Sequence, residues 1–208
     1  GAVVKNPSLT NPLEVLHMFI TDANLNSAGG GQDGRFPCSF YYLGEFYDNV
    51  AINRHGQSSQ GFPQRSYDID FNGDHTFRWD PNQDRVDDIN LLTTYPDKGK
   101  MRNLLAYGLL RDAGAPYHFV VPVRVQTNGG FFGVWHMMEN GDDRFLRRIG
   151  KDPRGALYKM YNTFDSTAST NIAPGVAEKK TRREEGNADL VALWNGINTG
   201  TVQARTNY

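Results

Sequence analysis

The sequence predicts an α+β domain in which an antiparallel sheet carries one long packed helix. Three observations predict it. Several short segments alternate apolar and polar residues with the period of a half-buried strand. Lys100–Ala113 sets Met101, Leu104, Leu105, Leu109 and Leu110 on one stripe at helical spacing. A hairpin pattern follows at once, with His118–Gln126 and Phe131–Met138 around Asn128-Gly129-Gly130. Strands grouped around a helix, rather than alternating with helices, suit an antiparallel sheet.

Each element follows from local chemistry. After Pro7 and Pro12, Leu13–Ile20 reads as a strand. Thr21–Gly34 is rich in Asn, Ser and Gly and reads as a flexible loop. The aromatic run Phe36–Tyr47 predicts strand and turn, and Val50 and Ile52 alternate within Asn49–Arg54. In Ser66–Phe71, Tyr67, Ile69 and Phe71 face one way, Asp68 and Asp70 the other. Asp97 is placed to cap the long helix, while Gly114 and Pro116 stop it. Pro122 predicts an edge or a bulge in the first hairpin strand. Asp142–Ile149 reads as a short basic helix, Ala156–Tyr161 as a strand and Ala188–Ile197 as a last helix. Asp165–Gly175 is small and polar, and Glu178–Glu185 is a mixed-charge run.

Composition narrows the function classes. The chain has 208 residues, 38% of them hydrophobic, enough to build a core. Lys and Arg number 22 against 23 Asp and Glu, which excludes a strongly basic nucleic-acid binder. No apolar run approaches the ~18 residues of a membrane span. The single Cys38 can form neither an intrachain disulfide nor a cysteine-rich zinc site. The chain opens Gly1-Ala2-Val3-Val4 without a signal-peptide pattern.

Four clusters carry candidate chemistry. Arg54-His55-Gly56-Gln57-Ser58-Ser59, followed by Arg65-Ser66-Tyr67, combines a glycine turn, two hydroxyls and two arginines. Backbone N–H groups and hydroxyls can ring a phosphate while Arg supplies a charged fork. A surface hairpin with solvated arginines accounts for the same residues. Arg102-Asn103 opens the long helix, where a positive charge opposes the dipole and suits a partner carboxylate or a bound anion. An exposed Arg without a role fits as well. Glu139-Asn140-Gly141-Asp142-Asp143 suits either a divalent cation or the N-terminus of the next helix. Arg144, Arg147, Arg148, Lys151 and Arg154 form either a patch for an acidic partner or a solvated face. No Walker A loop, Gly-x-Gly-x-x-Gly fingerprint, nucleophile elbow or His-Glu-x-x-His spacing is present.

Together these pieces resemble the CotH (spore-coat protein H) kinase family. Arg54-His55-Gly56-Gln57-Ser58-Ser59 resembles its Arg-Gly-x-Ser-Ser/Thr signature, and Arg65-Ser66-Tyr67 stands where it has Lys-Lys-Ser-Tyr. Arg102-Asn103-Leu104-Leu105-Ala106 is similar to its Arg-Asn-x-Leu-Ala helix. Gly130–Trp135 with Glu139 resembles Gly-x-Tyr-x-Gly-Val-Tyr-x-x-x-Glu, and Leu157-Tyr158-Lys159 its Leu-Tyr-Lys strand.

The resemblance implies the N-terminal lobe of a protein-kinase-like fold over residues 1–161. Residues 162–208 would be a polar connection and helix leading toward a C-terminal lobe. It further implies ATP with Mg²⁺ or another divalent metal, Ser/Thr-rich protein substrates, and an extracellular or spore-surface location. By carry-over, Arg54, Gly56, Ser58, Ser59, Arg65, Glu139 and Lys159 would hold the nucleotide, with Glu139 beside the adenine. Arg102 and Asn103 would be structural. Gln64-Arg65 replaces the usual lysines, so a planar fork stands where the family has a point charge. The family's Asn-Asp and Asp-x-Asp catalytic segments have no counterpart before Tyr208, so no catalytic or metal-binding residue is expected in this chain. A non-catalytic surface binding module with the same fold is the alternative.

Overall fold

A computed structural model describes residues 12–30, 34–161, 177–198 and 202–203. The chain divides into two units, one ending at Asn140 and one starting at Gly141. The sequence predicts a boundary after Tyr161 with a polar connection and helix over 162–208, of which 162–176 lie outside the described residues.

The first unit corrects the expected fold class. It is a closed seven-stranded barrel, not an open antiparallel sheet backed by a long packed helix. Its strands are β1 (Val15–Phe19), β2 (Phe36–Tyr42), β3 (Glu45–His55), β4 (Ser66–Asp70), β5 (Asp88–Thr93), β6 (Val120–Thr127) and β7 (Gly130–Glu139), in the order β1-β2-β3-β4-β5-β7-β6. All neighbours are antiparallel except β1 and β6, whose parallel pairing from Val15↔Arg124 to Met18↔Thr127 closes the ring. Closure leaves neither edge of the sheet unpaired.

Alternation sends Leu16, Met18, Phe40, Ile52, Ile69, Ile89, Leu91, Val123 and Met137 into a continuous core. Buried Cys38 lies there too, its thiol pushed up to about 12 by desolvation. Pro122 pairs with His136 on β7 but lies before the stretch where β1 joins β6, so its missing N–H costs no ladder bond. Asn128, at positive φ in the hairpin turn, pins β1. Its Oδ1 accepts from Ile20 N–H at 3.1 Å and its Nδ2 donates to the Ile20 carbonyl at 2.7 Å.

The segment between β4 and β5 packs inward through Phe77, which pairs with Val86 and lies 4.5–5.4 Å from the rings of Phe71, Tyr47 and Tyr42. Glu45 clamps that segment. Arg85 grips both its carboxylate oxygens at 2.8 Å, Arg78 reaches Oε1 at 3.3 Å and Tyr47 donates to Oε2 at 3.0 Å. The Arg85 hydrogen bonds, with help from Tyr47 and Arg78, hold Glu45 down at about 2.

Two helices accompany the barrel. α1 (Asp22–Gly30) stands where a loop was expected, started by Thr21 Oγ1 accepting from Asn24 N–H at 3.2 Å, and it sinks Ala28 into the core. α2 (Arg102–Asp112) lies where predicted, and Asp97 accepts from Met101 and Arg102 N–H at 2.8 Å. It is not the packed helix expected. None of its residues is fully buried, and Leu105 and Leu109 are 66% and 71% exposed. The half-buried face is Asn103, Leu104, Tyr107 and Gly108 instead.

The second unit contains α3 (Asp143–Arg148), a two-stranded pair β8 (Tyr158–Met160) and β9 (Ala177–Lys179), and α4 (Ala188–Ile197). Asp142 caps α3 by accepting from Phe145 N–H at 2.9 Å, the structural alternative foreseen for that acidic run. Lys179, buried on β9, donates to the Gly186 carbonyl at 2.8 Å and lies 3.4 Å from Asp189 of α4.

Candidate functional site

The phosphate-like cluster forms on the β3–β4 hairpin. Arg54 pairs with Tyr67 across the two strands, and directly opposite residues share a face. Arg54 therefore follows Val50 and Ile52 on the inward side, with Arg65 two residues before Tyr67 on the same side. Both arginines are half-buried. Both Nε atoms are buried without a hydrogen-bond partner, and among the described residues neither guanidinium has a carboxylate. Their charges converge on buried Tyr67: desolvation raises its hydroxyl pKa, while Arg65 and then Arg54 pull it back. Two like charges with unused donors favour an anion, which a planar fork can take in two parallel bonds.

The turn between the strands is shaped to leave room. Gly56 has φ +101°, and a Cβ there would run into Ser59 Oγ, so glycine is required. Ser58 and Ser59 begin a single 3₁₀ turn, Ser58–Gly61, with Phe62 N–H donating to the Ser59 carbonyl at 3.2 Å. Residues 54–66 include no Asp or Glu. The cluster can hold an anion and offers no carboxylate.

Gln64 and Arg65, the two departures from the family pattern, have separate jobs. Gln64 Nε2 donates to the Val134 carbonyl at 2.7 Å, and its Oε1 accepts from Thr93 and Thr94 at 3.3 Å. It is a structural tie. Arg65 faces the cluster, and its carbonyl accepts from Trp135 Nε1 at 2.8 Å. Phe132 stacks on Trp135 at 4.9 Å, and Tyr67 lies 6.5 Å from both. A Cβ on Gly133 would come within 2.7 Å of the Trp135 ring, so this glycine lets the indole reach Arg65. Tyr67, Gln64, Phe132 and Trp135 had no assigned role at this site. The signal for Tyr67 is its clean alternation; Phe132, in a bulge between Gly133 and Phe131 on β7, breaks alternation and shows only as part of the Gly130–Trp135 motif.

The other candidates belong to other elements. Glu139 is three strands from Arg54 along the sheet and 2% exposed, accepting from Phe119 N–H at 2.9 Å with His118 Nδ1 at 3.7 Å. Lys159 belongs to the second unit, where its Nζ lies 4.9 Å over the Tyr161 ring. Arg102 is exposed and pairs with Asp97 at 3.6 Å. Asn103 docks α2, its Nδ2 lying 3.3 Å from His136 Nδ1. His136 Nε2 is 2.9 Å from the Lys100 carbonyl, so Nε2 carries the proton and Nδ1 accepts. Burial lowers the His136 pKa and favours that neutral ring.

Among the described residues no helix is long and apolar enough to cross a membrane. A search of curated proteins finds no match to the chain. The family described as CotH kinase protein matches residues 52–208, from the middle of β3 onward and through the arginine cluster. That match covers most of the sequence, and the chain belongs to the CotH kinase protein family.

Proposed function

We propose that this chain holds the nucleotide of a CotH-type protein kinase, which uses ATP with a divalent metal to phosphorylate Ser or Thr of coat or secreted proteins at a cell or spore surface. The observation that carries the reading is the pair Arg54 and Arg65, half-buried, without carboxylate partners among the described residues, beside the Gly56–Ser59 turn. Two guanidinium forks and a hydroxyl match phosphate oxygens in charge and geometry. ATP supplies the phosphoryl group when bound. The residues of this cluster would grip and orient its phosphates, and the metal would arrive with the nucleotide, since residues 54–66 offer no carboxylate.

Calorimetric titration of the chain with Mg·ATP tests the reading. Arg54→Ala and Arg65→Ala should each weaken binding about tenfold or more, the worth of one charge-assisted hydrogen-bond pair. Unchanged affinity in both variants would overturn the site. Incorporation of the γ-phosphate into a Ser/Thr-rich protein by the full gene product separates a kinase from a module that binds without catalysis.

A further inference from the structure

The outer side of α2 carries an ordered pattern rather than a scatter of apolar residues. Arg102, Leu105, Leu109 and Asp112 follow one another at spacings of three, four and three residues, and all four are exposed. At about 100° per residue they fall within an arc of about 80°, a straight seam along three helical turns. Met101, also exposed, lies beside the first of them. The spacing is that of alternating a and d positions in a coiled coil. The borders of the seam are small. Ala106 is exposed, and a Cβ on Gly108 would meet nothing within 4 Å, so another helix can come close.

The order of chemistry along the seam selects its partner. When two copies of α2 run antiparallel about a two-fold axis level with Tyr107, Leu105 of each lies opposite Leu109 of the other. The same axis sets Arg102 of each opposite Asp112 of the other, because both pairs are centred on position 107. Four leucines then fill the middle and an ion pair closes either end. A parallel pairing would instead set Arg102 against Arg102 and Asp112 against Asp112. A patch that complements itself is what an isologous two-fold contact requires. Within one chain Arg102 lies 3.6 Å from Asp97 and Asp112 lies 2.9 Å from Arg111. Since Arg102 and Asp112 are themselves exposed, these contacts exchange at small cost.

We propose that α2 is a self-association surface that takes α2 of a second copy in antiparallel register. The seam is far smaller than the roughly 800 Å² per partner of a stable complex, which sets a dissociation constant on the order of 10⁻⁴ M. At the micromolar concentrations of an unfolding experiment the two copies are apart.

Sedimentation equilibrium of the full chain, over about 10 μM to about 1 mM so as to bracket that constant, tests the proposal. The mass should rise from monomer toward dimer. Arg102→Asp and Asp112→Arg each turn both ion pairs into like-charge contacts and should weaken self-association at least about tenfold. Both reversals suit the helix dipole, so the fold is kept. Mixed together, the two variants regain opposite charges at both ends and should pair with each other as wild type does. Leu109→Gln should abolish the association. A monomer throughout the range would leave the seam to a different protein and overturn the proposal. So would a mixture that stays monomeric while wild type pairs, or either reversal self-associating like wild type.

Discussion

The barrel contains two pairs of arginines in opposite electrostatic circumstances. Arg78 and Arg85 converge on Glu45, and every charge there has a partner. Arg54 and Arg65 converge on Tyr67, and among the described residues no carboxylate answers them. The first pair ties the segment between β4 and β5 to the start of β3, and its chemistry is used up in doing so. The second pair leaves donors unused and charge uncompensated, which is unfavourable for the isolated fold. Matched charge marks a structural clamp; unmatched charge beside a glycine turn is what the proposed nucleotide site rests on.

The sharpest way to break this contrast is to remove Glu45. A carboxylate held at about 2, against its ordinary 4.5, contributes about 3 kcal/mol at neutral pH. Glu45→Ala should lose about that much, measured by urea unfolding at pH 7. The sign follows from the depressed value. The contribution is complete above about pH 4.5 and fades as pH falls toward 2, so wild type and variant should converge in acid. Equal stability at pH 7 would show that the clamp is idle.

The arginine pair should behave in the opposite way. Arg54→Ala with Arg65→Ala should leave unfolding stability within about 0.5 kcal/mol of wild type, or raise it by relieving like-charge repulsion. Tripolyphosphate and ATP should both bind at least about tenfold more weakly. A large loss of stability with unchanged phosphate binding would reverse the assignment of the two pairs. Arg65→Lys sharpens the same point. It keeps the charge but loses the planar fork, so a loss of about fivefold in affinity is expected with stability unchanged.

The hairpin that carries the proposed site was more legible in the sequence than the architecture around it. Arg54, Gly56, Ser59 and Arg65 could be named because a short motif folds as one hairpin and keeps its residues together. Glu139 came from the same family pattern, and it is buried three strands away. Barrel closure was not legible. It depends on β1 pairing with β6 across more than 100 residues, and no local pattern reports so distant a parallel contact. The closing strand β1, like β2, also precedes the family match, which starts at residue 52. β5 was passed over because Ile89-Asn90-Leu91-Leu92 breaks alternation with an apolar Leu92 on the outer face. α1 was read as a loop because Asn, Ser and Gly are poor helix formers, and tertiary packing of Leu25 and Ala28 overrode them.

The long helix shows the limit of periodicity, and it extends the contrast between used and unused groups to apolar residues. The stripe Met101, Leu105, Leu109 is real, but the barrel meets the other face, through Asn103 on His136 and Tyr107 on the His118 ring at 5.7 Å. A helical repeat says that one side is apolar, not which side is covered. Asn103→Ala should therefore cost about 1 kcal/mol, the worth of one hydrogen bond to the partly buried His136 ring. Leu105→Gln and Leu109→Gln should each change stability by less than about 0.5 kcal/mol, since both side chains already lie mostly in water. If either Leu variant instead loses 2 kcal/mol or so, the stripe is covered in solution. Melting temperatures that rise with protein concentration in wild type, but not in the variant, would then identify a second copy as the cover.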